Sequence, residues 1–182
     1  MAGDFSCYHN TYMELLLRKR LYHTVPSFVA KGGWFFLTVC CQQRGSNQLC
    51  LPLVAPFLLN EAAFYHHTAR WHLHLFLLMP DHLHAIASFA ADEPMAKVVR
   101  DWKRLTARFA GVKWQRGFFD HRLRSKDEFE IKARYVRENP VRQVLVNNAE
   151  TWPYFVDCGV LGPLRSTGPT CQPFIGTSKQ AA

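Results

Sequence analysis

Apolar residues fall along this chain in two patterns, unbroken runs and helical spacing, and each marks a different kind of element. Trp34-Phe35-Phe36-Leu37-Thr38-Val39-Cys40-Cys41 is an almost unbroken apolar run after Gly32-Gly33. It is rich in aromatic and β-branched residues, so it predicts a buried strand. Residues 52–70 predict a helix, because Val54, Leu58, Ala62 and Tyr65 recur at helical spacing and Pro52 suits a first turn. Trp71–Met79 and His82–Phe89 read as two strands, and Pro80-Asp81 between them as a hairpin turn. Pro94–Ala110 predicts a second long helix, with Gly111 placed as its stop. Trp114–Leu123 contains a last strand. Ser125–Asn139 reads as a third helix, opened by Ser125 and Glu128 at capping-box spacing and ended by Pro140. The order strand, helix, strand, strand, helix, strand, helix predicts an α+β fold. Its first six elements are those of a ferredoxin-like antiparallel sheet with helices on one face, and the C-terminal helix carries Tyr135.

Composition narrows this picture. The 182 residues suit one domain, and 22 Lys and Arg against 14 Asp and Glu give a net charge of +8. That excess favours a polyanionic partner without naming it. Residues 1–30 contain Arg18, Lys19 and Arg20 and no clear period, so they read as a basic lead-in. Residues 31–160 form the expected domain. Residues 161–182 are rich in Gly, Pro, Ser and Thr and predict a disordered tail. The six cysteines form no CxxC pair, which argues against a zinc ribbon. Without a signal peptide or a membrane-length apolar run, a cytoplasmic location with free thiols is expected.

Two constellations carry chemistry. His82 and His84 flank Leu83 on a predicted strand, so both imidazoles share one face, roughly 7 Å apart along the backbone. They can converge on one ion while Leu83 anchors the strand in the core. A second pair, His72 and His74, lies early in the partner strand and reads as structural or DNA-facing. Adjacent His66 and His67 fall on different faces of a helix. On the last helix, Phe129, Ala133 and Val136 define the core stripe, and Tyr135 lies about 100° around from it. Asn139 is four residues further on and shares the face of Tyr135. Tyr8, Tyr12, Tyr22, Tyr65 and Tyr154 have no equally informative polar companion.

These residues resemble a known family. Met79-Pro80-Asp81-His82-Leu83-His84 resembles the HUH motif of single-strand nucleases. Tyr135-Val136-Arg137-Glu138-Asn139-Pro140-Val141-Arg142 resembles the tyrosine motif of the REP-associated tyrosine transposases. Trp114–Arg124 is similar to the segment that joins the two motifs, and Trp34–Val39 to the family's first strand. The resemblance spans about residues 30–155. It implies a ferredoxin-like fold and a divalent ion, Mg or Mn, held by His82, His84 and Asn139. It implies that Tyr135 is the nucleophile in cutting and joining single-stranded DNA beside REP-like palindromic hairpins. Some wider relatives carry Gln at the Asn139 position.

Candidate DNA-binding residues follow from charge. Arg100, Arg104 and Arg108 recur every four residues, with Lys103 beside them. Arg116, His121, Arg122 and Arg124 surround Asp120, and Arg137 and Arg142 lie in the tyrosine motif. Trp102, Trp114 and Phe118 read equally as base-stacking or core residues. Two rival readings remain at this level. One is a non-catalytic binder of single-stranded or structured nucleic acid on the same fold. The other is a metal hydrolase using His82, His84 and Asp81 with water as nucleophile.

Overall fold

The computed structural model describes residues 33–90 and 92–158. The lead-in and tail expected at 1–30 and 161–182 lie outside these residues. The elements run β1 (Trp34–Cys40), α1 (Val54–His67), β2 (His72–Met79), β3 (His82–Ser88), α2 (Met95–Ala110), β4 (Phe119–Leu123), α3 (Lys126–Arg142), a 3-10 turn (Ala149–Thr151) and β5 (Phe155–Asp157). The five strands form one sheet in the order β4-β1-β3-β2-β5, and every neighbouring pair is antiparallel. This is the expected α+β architecture. The short β5, which adds an edge strand beside β2, has no counterpart in the sequence reading.

Strand alternation sorts the sheet into two faces. Phe35, Leu37 and Val39 of β1, with Leu83, Ala85 and Ala87 of β3, pack with Leu58, Ala62 and Tyr65 of α1 and Val98, Val99 and Trp102 of α2. Phe36 of β1, Ile86 of β3 and Leu75, Leu77 and Met79 of β2 pack with Phe129, Ala133 and Val136 of α3. Apolar residues therefore fill both sides of the central strands, which explains why β2 and β3 read as continuous apolar runs rather than as alternations. A register shift between Leu73 and Leu75 makes His74 the extra residue of a bulge.

Helix ends follow local chemistry with one exception. Gly111 stops α2 at φ +69°, in the left-handed region that glycine tolerates. The Ser125 side chain accepts from Glu128 N–H at 3.1 Å, and the Glu128 carboxylate accepts in return from Arg124 N–H at 2.7 Å. The exception is Pro140. It does not stop α3, which runs on to Arg142 with Pro140 inside it. A proline removes its own N–H bond to the preceding turn and crowds the carbonyl four residues back. So close to the C-terminus that loss is small. Gln143 N–H to Asn139 O keeps the helical pattern, and Leu145 N–H to Pro140 O with Val144 N–H to Val141 O closes the end as a Schellman motif.

Candidate functional site

His82 and His84 open β3 directly after the Pro80-Asp81 turn, and both imidazoles lie on the α3 side of the sheet. Their ring centroids are 4.8 Å apart. Each ring is fixed by a partner at Nδ1. His84 Nδ1 shares a 2.9 Å hydrogen bond with Thr38 Oγ1 on β1, directly across the ladder. His82 Nδ1 donates to Asp81 Oδ1 at 2.7 Å. Asp81 is held in turn by Gly45 N–H at 2.7 Å and by Arg44 Nε at 3.3 Å. Burial would raise the Asp81 carboxyl, but the His82 hydrogen bond, the Gly45 N–H and the Arg44 charge outweigh it and hold it down at about 2. His84 is 5% exposed, and burial pushes it down to about 3, helped by the charges of His82 and Lys132. It is therefore a neutral imidazole at ordinary pH. With Nδ1 engaged in both rings, Nε2 is the nitrogen each has to offer an ion, and metal-binding histidines are oriented in this way.

Tyr135 is half-buried on α3 above the same face. Its ring meets His84 edge-on at 5.7 Å and Phe36 at 6.2 Å. Lys132 Nζ lies 5.3 Å and the Arg142 guanidinium 5.1 Å from the centre of that ring. Asn139 is one turn beyond Tyr135 and 4% exposed, on the sheet side of the helix. It is thus more deeply set than a residue simply presented beside the hydroxyl. The rival tyrosines are placed elsewhere. Tyr65 is buried on α1 on the opposite side of the sheet, Tyr154 packs against Trp152, and Tyr8, Tyr12 and Tyr22 lie outside the described residues.

His74, His66 and His72 are structural in their contacts. His74 is buried, shares a 3.1 Å hydrogen bond with Ser88 through Nε2, and meets Trp34 and Phe129 edge-on. His66 Nδ1 accepts Leu73 N–H at 3.0 Å, and its ring lies 4.9 Å from that of His72. Among the described residues, no three of His, Cys, Asp and Glu gather into a metal-holding set. An ion at this site would therefore need a further ligand outside those types, such as an amide or a substrate oxygen.

The basic residues divide between the two sides of the sheet. Arg100, Arg104 and Arg108 are exposed on α2, across the sheet from Tyr135, and Arg100 and Arg104 each lie 3.7 Å from Asp101. Lys103 does not join their stripe. It is buried, and its ammonium donates to the carbonyls of Gln115, Arg116 and Gly117 at 2.7, 3.3 and 2.9 Å. Lys103 directly precedes Arg104, and the advance of about 100° per residue carries it off the line of Arg104 and Arg108 toward the loop before β4. Arg116, His121 and Arg124 are exposed in or beside β4, and His121 lies opposite Phe36 in the ladder. Arg122 is half-buried, with an Nε that has no hydrogen-bond partner among the described residues. Arg137 donates to Asp157 of β5 at 3.1 and 2.7 Å. Of the aromatics, Trp102 is core, Trp114 Nε1 donates to Thr106 Oγ1 at 2.9 Å, and Phe118 packs against the same core.

Four residues at the site escaped the sequence reading as parts of it: Thr38, Asp81 as a partner of His82, Arg44 and Lys132. Asp81 precedes His82 directly and was legible. Thr38 and Arg44 are brought in by strand register and loop packing, at sequence separations of 46 and 37 residues from their partners.

No family model matches the chain. Over 131 residues it is 25% identical to the REP-associated tyrosine transposase of Escherichia coli K12, covering 70% of this chain and 78% of that protein. It superposes on a solved structure of the REP-associated tyrosine transposase bound to a REP hairpin with a TM-score of 0.64, at 23% identity, over 76% of this chain and 81% of that one. The resemblance read from the histidine and tyrosine motifs thus extends over 131 residues of sequence and to the fold: this chain is similar to the REP-associated tyrosine transposases.

Proposed function

We propose that this chain is a single-strand DNA endonuclease and strand transferase of the REP-associated tyrosine transposase kind, with Tyr135 as nucleophile. The observation that carries the reading is the Tyr135 ring lying 5.7 Å from that of His84, over a pair of oriented imidazoles. Neither a pure binding module nor a water-using hydrolase requires a tyrosine there. His82, His84 and Asn139 are the residues that would hold a divalent ion, Mg or Mn. When bound it would supply Lewis acidity to a phosphate oxygen. The donor set fits, since one imidazole is neutral by burial and both are steered by their Nδ1 partners.

In the reaction, the Tyr135 oxygen bonds to phosphorus and the P–O3′ bond breaks. The phenolic proton passes to solvent, and the departing O3′ takes up a proton. The products are a 5′ phosphotyrosine and a free 3′ hydroxyl, and reversal onto a new 3′ end rejoins the strand. The related protein of known structure binds a REP hairpin. A hairpin-bearing single strand is accordingly the substrate we assign to this chain.

The test is a denaturing gel of wild type and Tyr135→Phe incubated with such DNA and Mn. Wild type should form a covalent adduct and Tyr135→Phe none, while both bind the hairpin. Near-normal cleavage by the variant would favour a water nucleophile. No cleavage by either protein would leave a binding module.

A further inference from the structure

Lys132 stands one helical turn before Tyr135 and therefore on the same side of α3. Its Nζ lies 5.0 Å from the centre of the Phe36 ring and 5.3 Å from that of Tyr135. The side chain is half-buried, with no carboxylate in ion-pair range among the described residues. Glu128, the acid four residues earlier, has its carboxylate turned to Arg124 N–H at 2.7 Å. Asp81, on the neighbouring strand side, is committed to His82, Gly45 and Arg44. A partly desolvated ammonium that meets only aromatic faces keeps most of its charge for an anion that enters the same space. That space borders Tyr135 and the His82–His84 pair.

We propose that Lys132 contacts the scissile phosphate, supplying a positive charge to its non-bridging oxygens while Tyr135 attacks. The proposal rests on the nuclease reading above and adds a residue to it. Arg142 approaches the same ring at 5.1 Å but from the exposed end of α3, where it is suited to the flanking strand. Lys132 is the cation placed between the tyrosine and the sheet. Charge aimed at a reacting phosphate acts on the chemical step, whereas hairpin affinity comes from contacts along the backbone.

The experiment uses the full chain, hairpin-bearing single-stranded DNA and Mn, with wild type, Lys132→Met and Lys132→Arg. Methionine keeps an apolar stem over Phe36 and Tyr135 while removing the charge. Lys132→Met should slow adduct formation about a hundredfold, the scale of losing one charge-stabilising donor. Hairpin affinity should stay within about threefold, since one of many backbone contacts is lost. Lys132→Arg should recover most of the rate. A neutral methylphosphonate at the scissile position should slow wild type but cost Lys132→Met little more, because the charge it removes has already lost its partner. Adduct formation by Lys132→Met at the wild-type rate, or a Lys132→Arg as slow as the methionine variant, would overturn the proposal and leave the nuclease reading intact. A wild type that forms no adduct would overturn both.

Discussion

At the residue scale, the site consists of short polar side chains whose freedom has been removed by neighbours. Thr38 and Asp81 each hold one imidazole at Nδ1. The partner of a ligating histidine is worth about ten- to a hundredfold in metal affinity. Thr38→Val should therefore weaken Mn binding about tenfold without unfolding the protein, read by calorimetric titration of the purified chain. An unchanged Mn affinity would show that the Thr38 hydroxyl does not orient His84. The histidines themselves should separate binding from cutting. His82→Ala and His84→Ala should abolish adduct formation while hairpin binding, dominated by phosphate charge, persists and weakens steeply with salt. Normal cutting by both variants would mean that the ion, if any, is held elsewhere.

At the scale of elements, α3 carries Tyr135, Asn139 and Lys132, and its two ends obey different rules. Its N-terminus is fixed by Ser125 and Glu128, as the capping-box spacing implies. Just past its C-cap Gln143, Val144 stands at φ +56°, a β-branched residue in the left-handed region. An L side chain there costs about 1–2 kcal/mol. Val144→Gly should recover about 1 kcal/mol and raise the melting temperature by a few degrees in a thermal scan. A lower melting temperature would mean that the Val144 side chain contributes packing despite its exposure. On α2, Lys103 is a structural clamp on the loop that leads into β4. Lys103→Met leaves the carbonyls of Gln115, Arg116 and Gly117 without that donor. It should cost about 1–3 kcal/mol by denaturant titration.

At the scale of the whole molecule, acid should loosen the fold in stages. Burial pushes His66 down to about 4, with the nearby His72 and His67 adding to the effect, and its Nδ1 must stay unprotonated to accept Leu73 N–H. A depressed pKa contributes stability that is fully present above the unfolded value of about 6.5 and is lost as pH falls toward the folded value. Hydrogen bonds from Arg70 and Lys97 hold Glu93 at about 2, so that ion-pair cluster fails only below about pH 4. The urea midpoint should thus fall between about pH 6.5 and 4, and fall again below it. His66→Gln, which can accept without titrating, should make the upper stage shallower and leave the part due to His84, which burial pushes down to about 3. An unaltered profile in that variant would assign the stage to other groups.

The sequence by itself determined much of the fold and the central residues of the site. Continuous apolar runs, helical stripes, the Pro80-Asp81 turn, Gly111 and the Ser125 cap are local signals, and each acts where it stands. The same-face placement of His82 and His84 followed from strand geometry alone. What only the tertiary structure decided depends on contacts between distant segments. These include Thr38 beside His84, Arg44 on Asp81, β5 added at the sheet edge, and Lys103 turned inward from its charged neighbours. Pro140 shows the limit of a local rule, because a lost hydrogen bond near a helix end is offset by the packing of α3 on the sheet. The meeting of Tyr135 with His84 belongs to the same class. Both side chains were legible, but their separation depends on how α3 crosses the sheet, and helix periodicity says nothing about that crossing.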